Sequence, residues 1–113
     1  MRIFTHFNVD LDAVCSVWAA KQFVSGAAEA TVEFRPANWD GAEMSEGDLA
    51  VDIAAGGRGM KGEKGENGIV HSCFASIVAG HASAEDRSAL ANLVRFVDAQ
   101  DAQTVRELTQ KNS

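Results

Sequence analysis

The feature that most restricts the fold lies at the start of the chain, where a β-rich run passes directly into a helical one. Residues 2–7, RIFTHF, combine β-branched and aromatic side chains and end in polar and acidic residues. From Leu11 to Val24 the apolar residues Leu11, Val14, Cys15, Val17, Trp18 and Phe23 recur at three- and four-residue spacing, and Gly26 is a stop signal. This predicts a strand followed by a helix with one broad buried face, Trp18 in the core. Residues 31–35, TVEFR, alternate as a strand does, and Pro36 ends them because it cannot donate to a ladder. Asn38 to Gly47 reads as loop. Leu49 to Ala54, LAVDIA, is a compact apolar run broken only by Asp52, as in a buried strand with an acid near its C-terminal end. Strands alternating with helix and loop predict an α/β domain whose parallel sheet is flanked by helices and doubly wound.

Residues 56–68, GGRGMKGEKGENG, hold six of the ten glycines, which predicts a mobile loop with no packed element. Ile69 and Val70 suit a brief strand. Ser72 is placed to cap a short helix carrying Phe74, Ile77 and Val78 and ending at Gly80. Ser83 opens another helix, with Glu85 and Asp86 in its first turn and a buried stripe of Leu90, Leu93, Val94 and Val97. The polar tail from Thr104 is expected to fray.

A length of 113 residues sustains one domain with its own core, residues 1–113. The content of 46% hydrophobic and 23% charged residues excludes a disordered tail. No apolar run approaches the roughly 20 residues of a spanning helix. Acids stand where a signal peptide has its apolar stretch, so a cytoplasmic protein without a membrane partner is expected. Cys15 and Cys73 lack finger spacing and are read as reduced core residues. A formal net charge of -6 argues against an extended nucleic-acid surface, though not against a small phosphate-bearing substrate held through a metal.

The densest polar cluster is His6, Asn8, Asp10 and Asp12, at the junction of the first strand and first helix. The C-terminal ends of parallel strands border the ligand crevice of such a sheet. Taken singly, Asp10 or Asp12 reads as a helix cap. Together with His6 they read as a mixed nitrogen and oxygen shell for a cation. Asp52 is a further candidate ligand, because a buried carboxylate needs a metal or hydrogen-bond donors; capping of the following turn is the alternative. In the glycine-rich loop, Arg58 or Lys61 beside backbone donors is a candidate anion contact, but the pattern fits neither a P-loop nor a dinucleotide fingerprint. His71 is the remaining candidate; His81 suits a helix C-terminus, and Trp39 suits a loop tryptophan folded onto the domain.

The segment His6-Phe7-Asn8-Val9-Asp10-Leu11-Asp12-Ala13-Val14-Cys15-Ser16 resembles the first motif of the DHH phosphoesterases, roughly H-x-N-x-D-x-D-A-x-G-S, with Cys15 replacing its glycine. The resemblance implies that His6, Asp10 and Asp12 bind Mn or Mg at an active site, and that Ala13 and Ser16 serve packing and helix start. It extends weakly to Phe96-Val97-Asp98-Ala99-Gln100-Asp101. The Asp-His-His triplet that names the family is absent; Asp52-Ile53-Ala54 or Val70-His71-Ser72 stands in its place. The family's second, substrate-binding domain is not expected within these 113 residues. The resemblance therefore implies a metal-dependent phosphohydrolase acting on a phosphoester or phosphoanhydride of nucleotide or oligonucleotide type, with catalytic Asp10 and Asp12; the reading of the residues adds Asp52 to these and Arg58, Lys61 and His71 as candidate substrate contacts. The alternative is a degenerate, non-catalytic domain of the same type that binds a nucleotide or a partner protein. A crevice lacking its second wall further predicts a homodimer, with Leu90, Leu93 and Val94 contributing apolar surface.

Overall fold

The computed structural model describes residues 1–62 and 71–111, the stretch 103–111 as helix backbone alone. The elements in order are β1 (Arg2–His6), α1 (Leu11–Phe23), β2 (Thr31–Arg35), β3 (Leu49–Ala50), a single 3-10 turn (Ala55–Gly57), α2 (Cys73–His81) and α3 (Ala84–Lys111). The three strands form a parallel sheet in the order β2-β1-β3. An α/β domain with a parallel sheet is what the alternation of strand and helix patterns predicts. No helix among the described residues is long and apolar enough to cross a membrane.

Alternation along the strands sends side chains to two cores. Ile3 and Val51 face the helices and join Ala19, Ala20, Phe74, Ile77 and Val97 in the larger one. Phe4, Ala50 and Ile53 face the opposite side, where Trp39 and Met44 of the 36–48 loop cover them. The Trp39 ring lies 4.6 Å from that of Phe4, so the loop tryptophan is folded onto the domain.

The face that α1 buries overlaps the predicted one only in part: Cys15, Val17 and Phe23 are half-buried against the core, but the fully buried positions are others. Ala13, Ser16, Ala19 and Ala20 are buried. Leu11, Val14 and Trp18 are 39%, 53% and 43% exposed. Trp18 thus lies at the margin of the core, its ring edge-on to Phe23 at 5.9 Å and tilted against Phe74 at 6.5 Å. Both stripes have helical spacing. Small residues win the inner position because they let the helix backbone approach its neighbours closely, which large side chains forbid.

The third strand is shorter than its apolar run. After Ala50 only an isolated bridge from Val51 to Met60 continues the pairing, and Asp52 turns the chain out of the sheet at φ 55. The partner comes from the glycine-rich segment, whose first part is packed and not the loose loop expected. Met60 N–H donates to Ala50 O at 2.8 Å, and Asp52 N–H donates to Met60 O at 2.9 Å. A Cβ on Gly59 would stand 1.7 Å from Ile53 O, so glycine is required by this close approach. The brief strand expected at Ile69 and Val70 lies outside the described residues.

The two remaining helices begin where predicted. Ser72 Oγ caps α2 by accepting from Ala75 N–H at 3.1 Å, and Ser83 Oγ accepts from Asp86 N–H at 3.1 Å. Val97 is fully buried, with Leu90 and Val94 packed against the core. Leu93 departs from the expected stripe, 38% exposed beside Phe96 at 55%. Helical backbone continues through the expected frayed tail to Lys111.

The burial of the small-residue stripe of α1 is measurable. Ala19→Leu should destabilise the fold by about 1–3 kcal/mol through overpacking, whereas Val14→Ser should change it by less than about 1 kcal/mol. Chemical denaturation of the two variants checks this; the opposite ranking would restore the large apolar stripe to the core.

Candidate metal centre

The parallel register brings two chemically different side chains together at the C-terminal edge of the sheet. Ile3 pairs with Leu49 and Phe4 with Ala50. Continuing that register two residues sets His6 level with Asp52. His6 Nε2 lies 3.0 Å from Asp52 Oδ2. Asp10 arrives from the turn after β1 and caps α1, its Oδ1 accepting from Ala13 N–H at 2.8 Å. One ligand atom from each of His6, Asp10 and Asp52 then lies within 4.8 Å of the others. The capping and ligand readings of Asp10 do not exclude each other, since a carboxylate has two oxygens.

Asp52 is held rigidly for this position. Its N–H donates to Met60 O at 2.9 Å and also faces the Cys73 sulfur at 3.2 Å. The Cys73 thiol in turn donates to Met60 O at 3.0 Å. Burial drives that thiol up to about 12, which makes it a core residue and no nucleophile. Burial likewise raises the Asp52 carboxyl to about 6; the His6 hydrogen bond opposes the rise, and the charges of Asp12 and Asp10 add to it.

Asp12 is not one of this trio, although its charge acts on Asp52. It is 4% exposed, and both its oxygens are engaged. Oδ1 accepts from Phe74 N–H at 2.9 Å and from the Ser16 hydroxyl at 3.2 Å, while Oδ2 accepts from Cys73 N–H at 3.1 Å. A buried anion therefore sits on the N-terminus of α2, where free backbone donors and the helix dipole stabilise it. A small cavity of about 120 Å³ is lined by Asp10, Leu11, Asp12, Val97, Gln100 and Asp101. Burial, followed by the charges of Asp12 and Asp10, raises the Asp101 carboxyl. Asp101 was not among the predicted site residues, although its place in the Phe96–Asp101 segment was the available signal.

The predicted substrate contacts are dispersed. Arg58 reaches Gly41 O at 2.9 Å and is spent on holding the loop. Lys61 lines a cavity with Ser76 and His81. His71 Nδ1 bonds Asp98 Oδ2 at 2.9 Å, on a groove between α2 and α3. No family profile, no curated protein and no solved structure matches the chain.

Two outcomes follow from these contacts. Asp12→Ala leaves two buried N–H groups without an acceptor and should cost on the order of 3 kcal/mol, with or without divalent metal in the buffer; an unchanged denaturation midpoint would refute the anchoring role. The Asp52 carboxyl holds its proton more tightly folded than unfolded, so metal-free stability should fall as pH rises from about 4 to about 6 relative to Asp52→Asn. Parallel stability profiles of the two proteins across that range would contradict the raised Asp52 value.

Proposed function

We propose that the chain is a divalent-metal-binding domain of the DHH phosphoesterase type, its doubly wound sheet presenting His6, Asp10 and Asp52 to a phosphate-bearing ligand in the cytoplasm. The convergence of those three donors within 4.8 Å carries the reading. One imidazole and two carboxylates form a donor set that suits Mn, and carboxylates also suit Mg. A metal bound there supplies Lewis acidity toward a phosphoryl oxygen of a phosphoester or phosphoanhydride. The chain's own part is to hold the donors: Asp10 is fixed by its capping bond to Ala13, and Asp52 by the Met60 carbonyl. The proton that Asp52 retains up to about pH 6 must leave before a cation enters.

A specific observation favours the non-catalytic version of this reading. Asp12, the second acid of the motif, is committed to Cys73 and Phe74, and the sequence lacks the Asp-His-His triplet. Fewer free ligands bind a metal without fixing water in attack geometry. The domain then binds a nucleotide-like ligand or a partner protein and turns over slowly or not at all. Exposed Leu93 and Phe96 on α3 supply apolar surface for the homodimer that closes the crevice.

Titration with Mn should raise the melting temperature, by the equivalent of about 2.7 kcal/mol at 100 times Kd. His6→Ala and Asp52→Asn should each abolish most of the rise. Below about pH 6 the affinity should weaken by about tenfold per unit, because binding displaces one proton from Asp52. No shift with Mn or Mg at pH 7.5 would refute the metal reading; turnover of a generic phosphodiester near 10 per second, an ordinary enzyme rate, would refute the non-catalytic version.

A further inference from the structure

Between α2 and α3 lies a groove of about 540 Å³. That volume lies within the range of small-molecule sites, roughly 300–1,000 Å³. Its floor is made of small residues of α2, Ala79 and Gly80, and a Cβ on Gly80 would meet nothing within 4 Å. Val94 forms the facing apolar wall. These small residues leave room for an apolar ring to lie against the helices.

The polar groups in the groove favour an anion. Asp98 is the acid in its lining, and its carboxylate is consumed: Oδ1 accepts from Ser72 N–H at 2.9 Å and from the Ser72 hydroxyl at 2.6 Å, and Oδ2 from His71 Nδ1. Burial alone raises an acid, yet the bonds from His71 and Ser72 hold Asp98 below the usual carboxylate range. An ionised Asp98 only accepts, so the His71 proton is on Nδ1 and the ring is oriented with Nε2 as its second polar atom. Arg95 also lines the groove; its bond goes to the Asn92 side chain, and among the described residues it forms no ion pair. Asp98 and Arg95 balance in formal charge, but the carboxylate is already bonded on both oxygens, so Arg95 is the charged group of the lining still open to a ligand.

We propose that this groove is a ligand site distinct from the metal trio, taking a small planar ring that carries one anionic group, a phosphate or a carboxylate. The ring lies on the Ala79–Gly80 floor against Val94, Arg95 pairs with the anion, and His71 Nε2 bonds an edge group. Apolar contact and charge are both needed, because a single exposed ion pair contributes little by itself.

The test is amide NMR on the full chain in EDTA, which removes the metal reading from the outcome. Phenyl phosphate and benzoate should each give saturable shifts at residues 75–80 and 94–95, and phosphate alone or benzyl alcohol should give none that saturate. Arg95→Gln, at an exposed helical position, should weaken binding of both several-fold, the effect of one exposed ion pair, while leaving the remaining spectrum intact. Comparing the two probes tells a phosphate source from a carboxylate one. Absence of saturable shifts at these amides, shifts unchanged in Arg95→Gln, or shifts confined to residues 6–12 and 52 would each overturn the proposal.

Discussion

The buried carboxylate of Asp12 is the contact on which the arrangement turns. It receives two backbone N–H groups from the first turn of α2 and the Ser16 hydroxyl from its own helix. An ionised group in the core is tolerable only when its lone pairs are filled, and a helix N-terminus fills them with donors that have no other partner. The bond has consequences in three directions. It fixes the start of α1, and so the position of Asp10. It fixes Cys73, whose sulfur meets the Asp52 N–H and the Met60 carbonyl. It fixes Ser72, which ties α3 through Asp98.

Acids at the same edge of the sheet differ because their surroundings differ. Asp12 has donors on both oxygens. Asp52 has the His6 ring but lies among Asp10 and Asp12, and burial leaves its carboxyl raised to about 6. Asp101 is raised for the same reasons from the other side of the small cavity. Negative charge is thus concentrated and incompletely compensated around Asp10. A divalent cation is the ligand that resolves such a concentration most effectively, which is the physical content of the proposed reading.

Much of this was legible in the sequence. The strand and helix periods located β1, α1 and β2, and the caps Ser72 and Ser83 located the later helices, because capping chemistry is local. His6, Asp10 and Asp52 were selected from the cluster and from the end of an apolar run, and register then brought them together. What was not legible depends on contacts between distant segments. Hydrophobicity ranked the large stripe of α1 above the small one, yet close packing chose the alanines. The early end of β3 depends on Met60, supplied by a glycine-rich stretch that gives no periodic signal. Asp12 and Asp10 are indistinguishable in sequence; only the arrival of α2 separates an anchor from a candidate ligand.

The central claim is this separation of roles, and anomalous diffraction at the manganese edge from crystals grown with Mn tests it most directly. The account predicts a peak at bonding distance from His6 Nε2 and from carboxylate oxygens of Asp10 and Asp52, with the Asp12 oxygens still on the Cys73 and Phe74 amides. A peak coordinated by Asp12, with α2 released from it, or no peak at the trio, would contradict it.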